Sequence, residues 1–169
     1  MKHLKTLVLA AIFLFGSTSI MNAQSKVAHI NTQELIAAMP DYKAAQAEME
    51  KLGKTYEADI QSMGKEYENK VKQYDAEASA QTQETNQKRM QEVAAMEQNI
   101  RQYQSNAQQE MQKKEFDLLK PITEKAKAAI IKVAKAQGFQ YVLDSTQGQG
   151  VILADGKDLM ADVKKELGF

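Results

Sequence analysis

The chain has 169 residues, 22 basic and 22 acidic side chains, and no cysteine. Residues 1–23 contain Lys2, Lys5 and no acidic residue, so the rest of the chain has 20 basic and 22 acidic residues. This balance argues against a nucleic-acid partner, because nucleic acids bind basic surfaces. His29 is the single histidine beyond that point, so a zinc site of His and Cys ligands is excluded within one chain. We expect no cofactor, no metal and no enzymatic activity.

Residues 1–23 have the layout of a secretory signal peptide. Lys2 and Lys5 begin the segment, the apolar run 7–15 follows, and Ala23-Gln24 is the predicted cleavage point. The apolar run is too short to span a bilayer, which takes about 20 residues. We therefore expect export with cleavage; an uncleaved anchor is the alternative.

The first elements of the mature chain look globular. Residues 26–31 alternate between apolar and polar in the manner of a strand. Residues 32–39 can form a short helix that ends at Pro40, and Asp41 is a suitable N-cap for a long helix after it.

The middle of the chain, residues 41–119, is polar, lacks proline and has a helix-forming composition. Apolar residues recur every three or four positions, which indicates one apolar stripe along a helix. The stripe comprises Tyr42, Ala45, Met49, Leu52, Tyr56, Ile60, Met63, Tyr67, Val71, Tyr74 and Ala78, and it resumes with Val93, Met96, Ile100, Tyr103, Ala107, Met111, Leu118 and Ile122.

The two halves of this stripe are related by a mirror. When two helices run antiparallel around a turn, the residue numbers of facing partners add up to a constant sum. The sum is the same for the pair Tyr74 and Val93 as for the pair Tyr67 and Ile100. The centre falls in 79–86, the part of the stripe region richest in Ser, Thr and Asn, which favour caps and turns. We predict a helical hairpin with its tip near 79–86; one long helix in a parallel coiled coil is the alternative.

The return helix is predicted to reach Gln137, with Pro121 marking either a kink or the first turn of a new helical segment. Gly138 is a suitable helix stop. The elements predicted beyond it are a strand at 139–144, a turn at 145–150, a second strand at 151–154 and a final helix at 159–167 capped by Asp158.

The predicted fold class is α+β and mostly α, with a small β-containing body (24–40 and 120–169) that carries the hairpin arm (41–119). A body of this size buries little apolar surface, and its few strands leave open edges. Assembly of several copies would solve both problems. The body residues predicted to support it are Val27, Ile30, Tyr141, Leu143, Val151 and Leu153.

Several segments then resemble a known family when taken in order. They are Val27-Ala28-His29-Ile30-Asn31, Met39-Pro40, the Lys/Glu/Gln-rich helical pair, Lys120-Pro121-Ile122, Gly138-Phe139, Tyr141-Val142-Leu143-Asp144, Asp158-Leu159 and Asp162-Val163. This order resembles the Skp/OmpH family of periplasmic chaperones over essentially the whole mature chain. The resemblance implies a periplasmic homotrimer, shaped like a jellyfish, that holds unfolded outer-membrane proteins between its arms without ATP.

The chain departs from that family at Asn31, where an aspartate is common, at Met160, where threonine is frequent, and in its slightly acidic mature charge. The acidic charge gives no ground to assign a lipopolysaccharide site. Any membrane association is expected to be peripheral.

A chaperone of this type binds many sequences loosely, and flexible Met and amphipathic Tyr side chains suit such contacts. The candidate client-binding residues are Met63, Tyr67, Tyr74, Met90, Met96 and Tyr103. The competing role for each is the core that the hairpin buries against itself; Met90, near the tip and off the mirror register, is the better client candidate. The alternative function is an exported coiled-coil scaffold with one defined partner.

Overall fold

The structure is a computed structural model that describes residues 26–169, so the predicted signal peptide at 1–23 lies outside the described residues. It confirms a mostly helical α+β fold with one small sheet and long helices. The elements in chain order are β1 (Val27–Ile30), α1 (Thr32–Ala38), α2 (Pro40–Glu77), a 3-10 turn (Ala78–Ala80), α3 (Gln83–Ala136), β2 (Tyr141–Asp144), β3 (Lys157–Asp158) and α4 (Met160–Leu167).

The sheet has three parallel strands in the order β2-β1-β3. The central strand β1 pairs with β2 over its whole length and with β3 at Ala28 and His29. Successive side chains of a strand point to opposite faces. Ala28 and Ile30, each 1% exposed, therefore point into the core, and Val27 and His29 lie on the other face, which we call the outer face.

The core of the body lies between the inner face of the sheet and the helices. Three side chains have no exposed surface: Leu35 of α1, Leu159 immediately before α4, and Val163 of α4. The last part of α3 contributes small and branched side chains spaced three or four residues apart, as a helix face requires. They are Ile122, Ala126, Ala129 and Val133.

The α3 helix runs unbroken for 54 residues from the hairpin tip into the body. Pro121 lies inside it, so the prediction of a new helical segment there is wrong. Proline lacks the N–H that would bond the carbonyl of Asp117. The helix nevertheless continues, because Ile122 and Ala126 just beyond the proline are buried in the body core.

The observed start of α2 differs from the predicted one, whereas α1 has a side-chain cap. Asn31 caps α1, since its side-chain oxygen accepts a hydrogen bond from the N–H of Glu34 at 3.0 Å. Helix α2 begins at Pro40 with Met39 as its N-cap, so the prediction of Asp41 as N-cap is wrong. Proline fits the first helical position because no intrahelical bond needs its missing N–H there.

The end of α3 is the predicted one. Gly138 has φ 74°, the left-handed conformation that glycine adopts most easily. Its N–H donates to the carbonyl of Lys135 at 3.1 Å, and the N–H of Phe139 donates to the carbonyl of Ala134 at 2.9 Å. This pair of bonds is a Schellman motif, which satisfies the last carbonyls of the helix and turns the chain towards β2.

The predicted strand at 151–154 is wrong. The third strand is Lys157–Asp158 instead, and residues 151–154 belong to the connection from β2 to β3. Both sides of β1 are occupied by β2 and β3, and within residues 26–169 this apolar run pairs with neither open edge of the sheet. The high β-propensity of the run is therefore unused in the single chain.

The side chain of Asp144 ties the end of β2 to the start of α1. Its carboxylate accepts hydrogen bonds from the N–H and hydroxyl of Thr32 at 3.3 and 2.6 Å, and from the N–H and hydroxyl of Thr146 at 2.9 and 2.6 Å. Burial opposes ionisation, but the bonds from Thr146 and Thr32 outweigh it and lower the pKa of Asp144 from 3.8 to about 2.

We expect Asp144→Asn to lower the free energy of unfolding by about 2 kcal/mol at pH 7, because hydrogen bonds to an ionised acceptor are stronger than neutral ones. The stabilisation from the ionised carboxylate is fully present above pH 3.8 and is lost as the pH falls through about 2. The difference in unfolding free energy between variant and wild type should therefore be smaller at pH 3 than at pH 7. Chemical unfolding followed by circular dichroism measures it. Asp117→Asn, at an exposed carboxylate of α3, is the control, and an equal loss in both variants would contradict the prediction.

Candidate functional site

Helices α2 and α3 form the predicted antiparallel hairpin, which we call the arm. Near its root, Lys125 forms an ion pair with Asp41 at 2.7 Å, and near its tip, Lys70 forms one with Glu92 at 2.9 Å. A single long helix would hold these partners far apart, so that alternative is wrong. The chain reverses at residues 78–82, which overlap the predicted tip.

The hairpin turns without a glycine. After the 3-10 turn, Gln81 and Thr82 are extended, and the hydroxyl of Thr82 accepts a hydrogen bond from the N–H of Thr85 at 3.2 Å. The side-chain amide of Asn86 donates to the carbonyl of Ala78 at 2.9 Å and closes the turn. Short polar side chains thus provide the helix stop and the helix start.

The apolar contact between the two helices, which we call the seam, is partly covered. Ala45 and Ala107 are its buried members. Two helices cover one stripe of each other and leave both flanks of that stripe open to solvent. The half-buried members are Met49, Leu52, Tyr56, Ile60, Met63, Tyr67, Val71 and Tyr74 of α2 and Val93, Met96, Ile100, Tyr103, Met111 and Leu118 of α3.

The structure divides the six candidate client-binding residues into two groups. Met90 is 70% exposed and lies outside the seam, near the tip. The other five are seam residues with part of their surface open, so they can stabilise the hairpin and still present apolar surface. These are Met63, Tyr67, Tyr74, Met96 and Tyr103.

Hydrogen bonds across the seam hold several tyrosines. The hydroxyl of Tyr103 donates to Asp59 at 2.6 Å, and that of Tyr74 donates to Glu92 at 2.6 Å. The rings of Tyr56 and Tyr103 meet edge to face, with centroids 6.0 Å apart. The bond to the Asp59 carboxylate, aided by desolvation, raises the pKa of Tyr103 from 10.0 to about 12. The seam therefore combines apolar packing with carboxylate bonds that set its register.

A polar cluster, which we call the tip latch, joins the helices near the turn. The Arg89 guanidinium lies over the ring of Tyr74, 4.5 Å from its centroid, and donates to Glu77. Hydrogen bonds from Tyr74 and Lys70 lower the pKa of Glu92 below its ordinary value. Each helix contributes charged groups, so the latch pins the last turns of the arm together.

Sequence reasoning missed one exposed aromatic side chain. Phe116 lies near the root of the arm, is 63% exposed, and has the Lys120 ammonium 5.9 Å from its ring centroid. The available signal was a phenylalanine that falls outside the apolar stripe of α3. It adds apolar surface where the arm meets the body.

The predicted assembly residues also separate. Val27, Tyr141 and Leu143 are exposed on or beside the outer face of the sheet, and Leu153 is exposed in the β2–β3 connection, where Val151 is half-buried. Ile30 is buried in the chain's own core, because it alternates with the outward residues of β1. Ile30 therefore supports the body from inside.

Within residues 26–169, no cluster of His, Cys, Asp and Glu could hold a metal ion. Over the same range, no helix combines the length and apolarity needed to cross a membrane.

We expect Tyr103→Phe to lower the thermal unfolding midpoint by about 2 °C, because it removes the bond to Asp59 and keeps the ring. The stabilisation from protonated Tyr103 is fully present below pH 10 and is lost as the pH rises through about 12. Circular dichroism melts and tyrosinate absorbance measure the two effects. The control is Tyr67→Phe, whose hydroxyl makes no hydrogen bond in the described part of the chain; equal shifts in both variants would refute the assignment.

Comparison with known proteins agrees with this geometry. The sequence pattern of the OmpH-like outer membrane protein family matches residues 26–167. The crystal structure of an OmpH-like outer membrane chaperone candidate from Caulobacter crescentus CB15 shares the fold with a TM-score of 0.77 at 19% identity, over 86% of this chain and 85% of that chain. No curated protein sequence matches the chain. Because the family pattern covers almost all of the described residues, the chain belongs to the OmpH-like family of outer membrane proteins.

Proposed function

We propose that this chain is an ATP-independent periplasmic chaperone that holds unfolded outer-membrane proteins between the arms of a homotrimer. Residues 1–23 would direct export and be removed. The partly covered seam of a long arm is the observation that carries the proposal, and membership of the OmpH-like family supports a chaperone role.

The arm is long for so small a chain. Helix α2 has 38 residues, which at 1.5 Å per residue reach about 57 Å. Its stripe has an apolar side chain every three or four residues, and partly open Met or Tyr side chains recur along it every four or seven residues. Methionine and tyrosine adapt to differently shaped apolar partners. An unfolded chain that lay along the arm could therefore make many weak contacts at once.

Weak and repeated contacts suit a protein that must release its client without ATP. The grooves along the arm are open to solvent, because two helices cannot surround a bound side chain. Multivalent contact raises the overall affinity without any strong individual site. The charged and amide side chains between the open apolar positions keep the arm itself soluble.

Assembly would bring several arms around one space. The body exposes Val27, Tyr141 and Leu143 together, and its sheet has two free edges within residues 26–169. Edge strands of this kind readily pair with another chain. Such pairing in a homotrimer would bury this exposed apolar surface. Sedimentation of the mature chain tests the subunit number.

A shortened arm tests the function. Deletion of residues 57–74 from α2 and 92–109 from α3 removes about five full turns from each helix, so the seam stays in phase. The deletion replaces the Tyr74–Glu92 hydrogen bond with the Tyr56–Glu110 bond, which already exists in the arm. We expect the variant to keep its assembly state and lose most of its suppression of light scattering when an unfolded β-barrel protein is diluted from urea.

The wild-type chain is the control, and both proteins are compared at equal trimer concentration. Full suppression by the shortened variant would contradict a role for the arm. Absence of suppression by the wild type would instead favour the scaffold alternative with one defined partner.

We expect Met90→Gln to weaken binding of the unfolded β-barrel protein by about twofold to fivefold, because one exposed apolar contact is lost on each arm. The thermal midpoint should not change. Met96→Gln is the matched control, since it lies on the same helix in the half-buried seam and should lower the midpoint. Fluorescence titration and circular dichroism measure the two quantities, and unchanged binding by Met90→Gln would exclude Met90 from the client surface.

A further inference from the structure

The methionines of the described chain differ widely in exposure. Met90 of α3 is 70% exposed, whereas Met39, the N-cap of α2, is 1% exposed. The remaining methionines between residues 26 and 169 are half-buried, and they are Met49, Met63, Met96, Met111 and Met160. An oxidant must reach the thioether sulfur to react with it, so exposed methionines react first. Met90 is therefore the methionine of this range that an oxidant meets most readily.

No thiol competes with methionine for an oxidant in this chain. The sequence contains no cysteine and no tryptophan. Thiolates are the strongest side-chain nucleophiles and are otherwise oxidised readily. The proposed export would also place the chain outside the compartment in which thiol systems keep proteins reduced. Methionine sulfur is therefore the main target for an oxidant that transfers oxygen.

Met90 lies on a polar face of α3. Its neighbours one and two turns away on the same face are Gln83, Gln87, Ala94 and Glu97, and all four are exposed. Residues three and four apart are neighbours on a helix surface, so this face surrounds Met90 with small or polar side chains. Met90 is outside the seam, and a change in its polarity leaves the apolar packing of the arm intact.

The seam methionines have a different environment. The methyl group of Met111 lies against α2 at Gly53, where an added Cβ would lie 3.7 Å from it. Met63 and Met96 also belong to the seam, and both are half-buried. A sulfoxide oxygen is a polar acceptor, and its burial without a donor costs free energy. Oxidation of these methionines would weaken the hairpin, whereas oxidation of Met90 would not.

We propose that Met90 is a site of reversible oxidation to methionine sulfoxide, and that this modification lowers the affinity of the arm for its client. The sulfur lone pair attacks one oxygen of a hydroperoxide, and the S–O bond forms as the O–O bond breaks. The proton on the transferred oxygen moves to the departing oxygen. The sulfur loses two electrons, and hydrogen peroxide, the simplest such oxidant, is reduced to water.

The modification exchanges a flexible apolar side chain for a polar one. The inference rests on the proposed function, because the property that changes is client binding. Met90→Gln is similar in size and polarity to the oxidised side chain, so the two should weaken binding to the same extent. A thiol-dependent reductase reverses the step, since two thiols form a disulfide and the sulfoxide oxygen leaves as water. The exposure of Met90 lets such an enzyme reach it without unfolding the helix.

Peptide mapping by mass spectrometry tests the site, with the mature chain exposed to graded doses of hydrogen peroxide. We expect Met90 to gain oxygen about threefold or more faster than any seam methionine, and Met39 to stay unmodified. Two methionine sulfoxide reductases, one for each sulfoxide epimer, should then restore the original mass of the Met90 peptide. Oxidation of Met96 as fast as Met90 would overturn the assignment of the site.

Client binding tests the effect of the modification. Peroxide is removed before the unfolded β-barrel protein is added, so that the client itself is not oxidised. At a dose that modifies Met90 alone, the wild type should bind about twofold to fivefold more weakly in a fluorescence titration, with an unchanged thermal midpoint. Treatment with the reductases should restore the affinity. Met90→Leu is the matched control, because it keeps an apolar side chain without sulfur.

The Met90→Leu variant should bind like the untreated wild type both before and after the same dose. An equal loss of binding in this variant, or no loss in the wild type, would overturn the proposal. Wild-type binding that is normal before oxidation and unchanged after it would leave the chaperone proposal standing and refute this inference alone. A wild type that binds no client before oxidation would refute the proposed function, and the effect on binding with it.

Discussion

The rest of the structure depends on α3 being one rigid helix shared by the arm and the body. Its tip half supplies the return side of the seam, and its last turns supply Ile122, Ala126 and Val133 to the body core. A rotation of this helix about its own axis would move both sets of side chains together. The register of the arm and the packing of the body are therefore fixed by the same helix phase, and neither can be rearranged alone.

Much of this architecture could be predicted because local patterns agreed with long-range packing. The mirrored stripe and the Ser, Thr and Asn cluster predicted the hairpin, and Gly138 predicted the end of α3. The errors arose where a local signal lacked its partner. Residues 151–154 have strand composition, but Lys157 and Asp158 just beyond them take the second side of β1 instead. Asp41 resembled a cap, but Pro40 already fits the first helical turn.

The sequence could predict which positions belong to the candidate site, but it could not predict how much of each side chain is exposed. Spacing placed Met63 and Tyr103 on one stripe, but it could not show that the second helix covers only part of each side chain. The hydrogen bond from Tyr103 to Asp59 depends on how far α3 is shifted along α2. The spacing of apolar residues fixes this shift only to within about one helical turn. Phe116 lies outside the apolar stripe, so the spacing of apolar residues gives no signal for its exposed ring.

The tip latch has a mechanical consequence for the arm. The arm is fixed at its root by the body core and at its far end by Arg89 between Tyr74 and Glu77. Between them, Gly53 and Gly64 reduce the side-chain volume of α2, and a Cβ added at Gly64 would meet no atom within 4 Å. The two helices are therefore joined at both ends of the arm, which opposes their separation, while the open space beside Gly64 would accept a larger side chain without a clash.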